Sequence, residues 1–260
     1  MPQRQRTEFP SLKVVRPKRM YEQIAEQIET LIRKGDFAPG ARLPGERELA
    51  ETIGVSRPSL REALIALETL GLIEVRVGDG TYVRAAPPIS AAPTWIQGKD
   101  LGPGPLEQFR ARRAVEPACA ELAATAATDQ EIAALEQSLE RIISTIDAGR
   151  SPGAEHARFH ILLAEASHNS ILLSVASELW RLRGGEMWET LRRRVEEPDS
   201  LAKGIAFRRQ LLASLRAHDG AGARAAMQAH LDRVEQLYFG SDESVQAKPA
   251  ARAPRSRRRR

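Results

Sequence analysis

A stretch rich in proline, glycine and alanine, from Ala85 to Pro105, splits the 260-residue chain into two regions of different periodicity. It contains Ala86-Pro87-Pro88 and Gly102-Pro103-Gly104-Pro105, a composition that belongs to linkers rather than packed elements. The sequence therefore divides into a basic flexible N-terminus at 1–19, a first domain at 20–85 and a linker at 86–105. A second domain at 106–240 and a basic disordered tail at 241–260 complete it. Apolar residues at 42% exclude wholesale disorder. The single cysteine, Cys119, excludes a disulfide framework and a Cys-rich zinc module. No apolar run reaches the roughly 18 residues of a membrane span. The opening Met1-Pro-Gln-Arg-Gln-Arg has no apolar core of a signal peptide, so a cytoplasmic protein without a membrane partner is expected.

The formal net charge of +5 is misleading as a clue to partners. Residues 1–19 and 247–260 together carry +12, which leaves −7 for the middle of the chain. Attraction of phosphate by the tail is non-specific, so a case for DNA recognition must come from local arrangement.

In the first domain Tyr21, Ile24, Ile28, Leu31 and Ile32 recur at helical steps, ended by Gly35 and Pro39-Gly40. A short second helix follows Pro44 and stops at Gly54. Ser56 is suited to capping a third, because its hydroxyl accepts from a free amide of the first turn, where Pro58 is also tolerated. That helix runs from Arg57 to about Leu70. Ile73, Val75 and Val77 then alternate with Glu74 and Arg76 as a half-buried strand; Gly78-Asp79-Gly80 turns it, and Thr81-Tyr82-Val83 returns as its partner. Three helices and a hairpin are the plan of a winged helix-turn-helix. The second domain shows no strand alternation, and helical segments are expected at 106–127, 129–148, 153–167, 169–195, 200–217 and 220–239. The fold expected is mainly α, a winged helix-turn-helix followed by an all-helical bundle.

A recognition helix presents polar side chains at its N-terminal end while its apolar side docks on the domain. Arg57, Ser59 and Arg61 cluster at the start of the third helix, and Leu60, Leu64 and Leu67 face the other way. Arginine reads guanine because its fork reaches O6 and N7 together. Arg47, near the start of the preceding helix, is placed to reach the same groove or a phosphate, and Gly78 at the wing tip allows close backbone approach.

These residues carry a resemblance. The runs Pro39-Gly-Ala-Arg-Leu-Pro-Gly-Glu-Arg-Glu-Leu-Ala50, Gly54-Val-Ser-Arg-Pro-Ser-Leu-Arg-Glu-Ala-Leu64 and Gly78-Asp-Gly-Thr-Tyr-Val83 resemble the GntR family of bacterial repressors. The resemblance implies a homodimer on a palindromic operator, with Arg47, Arg57 and Arg61 at bases or nearby phosphates. It places Ser56 and Ser59 at phosphate and Gly78 at the wing. Phe109-Arg-Ala-Arg-Arg-Ala-Val-Glu-Pro117, Phe159-His160, Asn169 and Ala226-Met-Gln-Ala-His-Leu231 are similar to the FCD effector domain of the FadR branch. Within that branch, 159–170 with Leu179–Arg183 and Met187-Trp188 looks most like the hexuronate-utilisation regulators of UxuR/ExuR type.

In that domain an Asp and three His usually hold a metal. Read onto this chain the four positions are His156, His160, Arg208 and His230. His156 and His160 share a helical face and with His230 are candidate ligands for zinc or nickel. Arg208 offers five donors and no lone pair, so it replaces a ligand with a positive charge. Arg112 matches a pocket-lining arginine, and Asn169 is either pocket-lining or a helix cap. The implied function is a ligand-responsive regulator of a carbon-utilisation operon, released from operator DNA by a small carboxylate such as a sugar acid. A helical metalloenzyme would need a His-Glu-x-x-His sequence or a pair of Glu-x-x-His sequences, and the chain has neither. A constitutive DNA-architectural protein, suggested by Arg257–Arg260, would not need a bundle of this size.

Overall fold

The computed structural model describes residues 18–76, 78–85, 100–195 and 198–240. The expectations for the basic termini, for Val77 and for 86–99 of the linker lie outside these residues. The first domain contains α1 (Met20–Lys34), α2 (Glu46–Ile53), α3 (Arg57–Thr69), β1 (Ile73–Arg76) and β2 (Gly80–Val83). Tyr21, Ile24, Ile28 and Ile32 bury one face of α1, which packs along α3. The Ser56 hydroxyl accepts from the Ser59 amide at 3.2 Å and opens α3 as a cap. Leu60, Leu64 and Leu67 are buried, as the helical spacing requires.

β1 and β2 pair antiparallel with Ile73 opposite Val83 and Val75 opposite Thr81. Gly78 takes a left-handed φ of +78° in the connecting turn, where a side chain would be strained. Arg42 supports the wing from below by donating to the Asp79 carbonyl. A Cβ at Gly80 would come within 2.7 Å of the Arg42 Nε, so glycine leaves room for that arginine.

The second domain is all helical among the described residues: α4 (Pro105–Ala126), α5 (Asp129–Asp147), α6 (Gly153–Glu165), α7 (Ser170–Leu182), α8 (Glu186–Val195), α9 (Pro198–Arg216) and α10 (Gly220–Phe239). Thr128 and Glu131 close a reciprocal capping box at the start of α5, with bonds of 3.3 and 2.8 Å. Leu135, Ile142, Phe159, Leu211, Met227 and Leu231 build the core. The helix read at 169–195 is two helices, α7 and α8, separated by Arg183-Gly184-Gly185. Two adjacent glycines carry a high entropic cost in a helix, and the chain turns at them.

The two domains share a continuous apolar core in which Leu64 and Leu67 of α3 join Phe109, Trp188 and Phe239. Polar bonds reinforce the seam. Tyr21 Oη donates to the Gly102 carbonyl at 2.8 Å, and Thr69 and Thr190 hydroxyls lie 2.9 Å apart. Residues 100–104, read from composition as linker, are packed against the first domain. Asp100 holds them by accepting from Arg19 at 3.0 Å and from the Gly102 amide at 2.8 Å.

Candidate functional site

The α3 end presents the expected residues unequally. Arg47 projects from α2 with a side chain 79% exposed, loosely paired with Glu51 at 3.4 Å. The Ser56 and Ser59 hydroxyls lie 2.9 Å apart at the cap. Arg57 is half-buried, its Nε covered and without a partner. Arg61 departs from the expectation of a DNA contact. Its Nε donates to Glu46 at 2.6 Å and its Nη1 to the Phe239 carbonyl at the end of α10, so its donors are turned into the protein. The neighbouring Glu62 is buried and accepts from the Leu106 amide at 2.7 Å. A Cβ at Gly104 would fall onto the Glu62 carboxylate, so glycine permits this approach. Arg61 and Glu62 thus tie one turn of α3 to the end of α10 and the start of α4.

Those two helices help enclose a cavity of about 290 Å³ in the second domain. Arg112 enters it from α4, His156 and His160 from α6, and Trp180 from α7. Arg208 lines it from α9, His230 and Arg233 from α10, with Arg183 and Arg192 completing the basic wall. The structure therefore brings together Arg112, His156, His160, Arg208 and His230 from four helices, α4, α6, α9 and α10. Asn169 does not join them. Its Oδ1 accepts from the Ile171 and Leu172 amides, both at 3.1 Å, and it caps α7. A side chain committed to two free amides of a helix start is not available to a pocket.

Glu116 organises the buried polar groups. It receives Arg112 through two bonds, at 2.7 and 3.1 Å, and the Trp180 indole N–H at 2.9 Å. His160 Nδ1 lies 3.0 Å from its other oxygen. Burial alone would raise this carboxyl, but Arg112 and His160 overcome that effect and hold it below the usual range. Burial pushes His160 down to about 4 against the pull of Glu116. Burial and then Arg208 hold His156 and His230 well below an ordinary imidazole. All three histidines are neutral near pH 7, each with one donor and one acceptor. Arg208 is 2% exposed, and burial plus repulsion from Arg112 pushes it down to about 9; Arg183 is pushed to about 9 by the same two causes.

The donor set does not fit a divalent ion. Among the described residues no three His, Cys, Asp or Glu side chains are grouped to hold one. Arg208 brings a cation and no lone pair to the cavity. The arrangement suits an oxyanion, which guanidinium forks receive directly and neutral imidazoles support through hydrogen bonds. Sequence reasoning missed Arg183, Arg192, Arg233 and Tyr238 as lining residues. Arg233 carried a usable signal, since it stands three residues after His230 on α10 and so shares its face.

Residues 20–83 match the bacterial regulatory proteins of the gntR family, and residues 107–233 match the FCD domain. The chain is 36% identical over 235 residues to the Uxu operon transcriptional regulator of Escherichia coli (strain K12), covering 87% of this chain and 90% of that one. It is 30% identical over 234 residues to the Exu regulon transcriptional regulator of the same strain, covering 88% of each. Among solved structures, Streptococcus agalactiae GntR is 28% identical with a TM-score of 0.45, covering 83% of this chain and 99% of that one. The chain belongs to the GntR family of bacterial regulatory proteins, beside the Uxu and Exu regulators in its FCD-bearing branch, and is a DNA-binding transcriptional regulator rather than an enzyme.

Proposed function

We propose that this regulator is a cytoplasmic homodimeric repressor of a carbon-utilisation operon. It binds a palindromic operator through α3 and the wing, and it leaves when a small carboxylate such as a sugar acid enters the arginine cavity. The observation that carries this reading is the lining of that cavity: five arginines and, among the described residues, no carboxylate. The Uxu and Exu names of the relatives favour an operon of sugar-acid use. Arg208 receives the carboxylate directly, Arg112 adds a second positive contact, and His156, His160 and His230 bond its hydroxyls.

An effector regulates only if it binds the DNA-competent and DNA-incompetent arrangements unequally. The path for that difference is short. Arg112 lies on α4, whose start is capped by Glu62, and His230 lies on α10, whose end is held by Arg61. A ligand that shifts α4 or α10 therefore acts on the DNA-reading helix through two adjacent residues. A thermal-shift screen of small organic acids, followed by gel shift on operator DNA with the best hit, tests the reading. Stabilisation together with operator release is expected. Failure of every acid to raise the melting temperature, or a stabilising acid that leaves operator binding untouched, would contradict it.

A further inference from the structure

Three arginines of the cavity have a buried nitrogen without a hydrogen-bond partner: Arg112 at Nη1, Arg183 at Nε and Arg208 at Nε. They are not equivalent. Arg112 is neutralised by the bidentate pair with Glu116. Arg183 and Arg208 have no such partner among the described residues. Each is instead held by aromatic rings. The Arg183 guanidinium lies 4.6 Å from the ring centre of Trp180 and 4.4 Å from that of Trp188. The Arg208 guanidinium lies 5.0 Å from the centre of Phe159 and 5.7 Å from that of Phe207, with Nη1 donating to the Gly204 carbonyl at 3.0 Å.

Aromatic faces attract a guanidinium and fix its orientation, but they do not replace the charge that burial demands. Burial and Arg112 push both groups well below the ordinary value for arginine, a sign that each site lacks a negative charge. The two cations sit on separate aromatic seats, at the end of α7 and on α9, and each presents its own unpaired guanidinium to the same cavity. The volume of about 290 Å³ is that of a small-metabolite pocket.

We infer that the effector carries two anionic groups set apart along one small molecule, the first received by Arg208 and the second by Arg183. This rests on the effector-pocket reading above and narrows its ligand class. A dicarboxylate and a phosphorylated monocarboxylate share that chemistry, since carboxylate and phosphate both fit a guanidinium fork.

The test is calorimetric titration of the full chain at neutral pH with D-gluconate, D-glucarate and 6-phospho-D-gluconate. These share a six-carbon polyol chain and differ in whether, and how, the far end is charged. One of the doubly anionic acids is expected to bind about tenfold to hundredfold tighter than gluconate, the scale of one added charge-assisted contact. Glucarate ahead identifies a dicarboxylate site, and the phosphorylated acid ahead identifies a phosphate site. In Arg183→Met, which keeps an apolar stem on the two indoles, the ratio of doubly to singly anionic affinity collapses toward one. Gluconate binding within about twofold of both other acids would overturn the inference while leaving the effector pocket intact. A full ratio retained in natively melting Arg183→Met would overturn it too; if that variant fails to fold, the comparison on the unmodified chain decides alone. No binding of any of the three, and no thermal protection by them or by inorganic phosphate, is the separate result that removes the pocket reading itself.

Discussion

The α2–α3 end of the first domain and the cavity of the second domain both present arginine, and they hold it in opposite ways. The Arg47 side chain is 79% exposed and paired only through a surface contact, whereas Arg208 is 2% exposed with a covered, unpartnered Nε. An exposed guanidinium keeps its hydration until phosphate replaces a counterion, so its contribution follows the salt concentration. A buried one has already given up water and holds that cost until an anion arrives. The same side chain is thus a hydrated surface charge in one domain and a buried, incompletely bonded charge in the other. Arg61 stands between them, on the reading helix by position but spent on Glu46 and the end of α10.

The largest expected effect breaks the buried side of this comparison. Glu116→Gln leaves Arg112 uncompensated and should cost about 3–5 kcal/mol of stability, the usual result of breaking a buried ion pair. Urea denaturation checks it, and a loss below about 1 kcal/mol would mean that the cavity tolerates an unpaired guanidinium.

On the exposed side, Arg57→Ala should cost on the order of 1–3 kcal/mol of operator binding and relax preference at one base pair. Fluorescence anisotropy on specific and random duplexes separates the roles. Equal weakening on both would assign Arg57 to phosphate instead of a base.

The seam between the domains gives a smaller, pH-dependent effect. Burial pushes Glu62 up to about 7, opposed by the Leu106 and Glu107 amides, from an ordinary value of 4.5. A carboxyl raised in the folded state favours folding while protonated. Its contribution is therefore complete below about 4.5 and is lost as pH rises through about 7. Glu62→Gln keeps an acceptor for Leu106 and should flatten that fall, by on the order of 1–2 kcal/mol between pH 5 and pH 8. Identical falls in both proteins would show that Glu62 does not titrate across this range.

Much of the reading domain was legible because its signals are local. Ser56, Pro58 and the alternation of Ile73 and Val75 each act on their own neighbours in sequence, and the cap and hairpin follow from them. The break at Gly184-Gly185 was hidden because apolar periodicity continues on both sides of it, in Leu179, Trp180, Met187 and Trp188. The cavity was legible only where a resemblance supplied it, at Arg112, His156, His160, Arg208 and His230. Arg183 and Arg192 were not picked out, since nothing within a few residues tells a buried arginine from an exposed one. Arg61 shows the converse. Its place in α3 reads as a DNA contact, and only the return of α10 from 178 residues away makes the Phe239 carbonyl its partner.

In the proposed effector site arginine, in place of a metal-ligating residue, receives the ligand without a bridging ion. Calorimetric titration of the best-binding acid in EDTA, on the unmodified chain, Arg208→Ala and His230→Ala, tests it most directly. Binding is expected to survive chelation, and Arg208→Ala is expected to weaken it more than His230→Ala does. Stoichiometric zinc or nickel by elemental analysis, with effector response lost in EDTA, would contradict it.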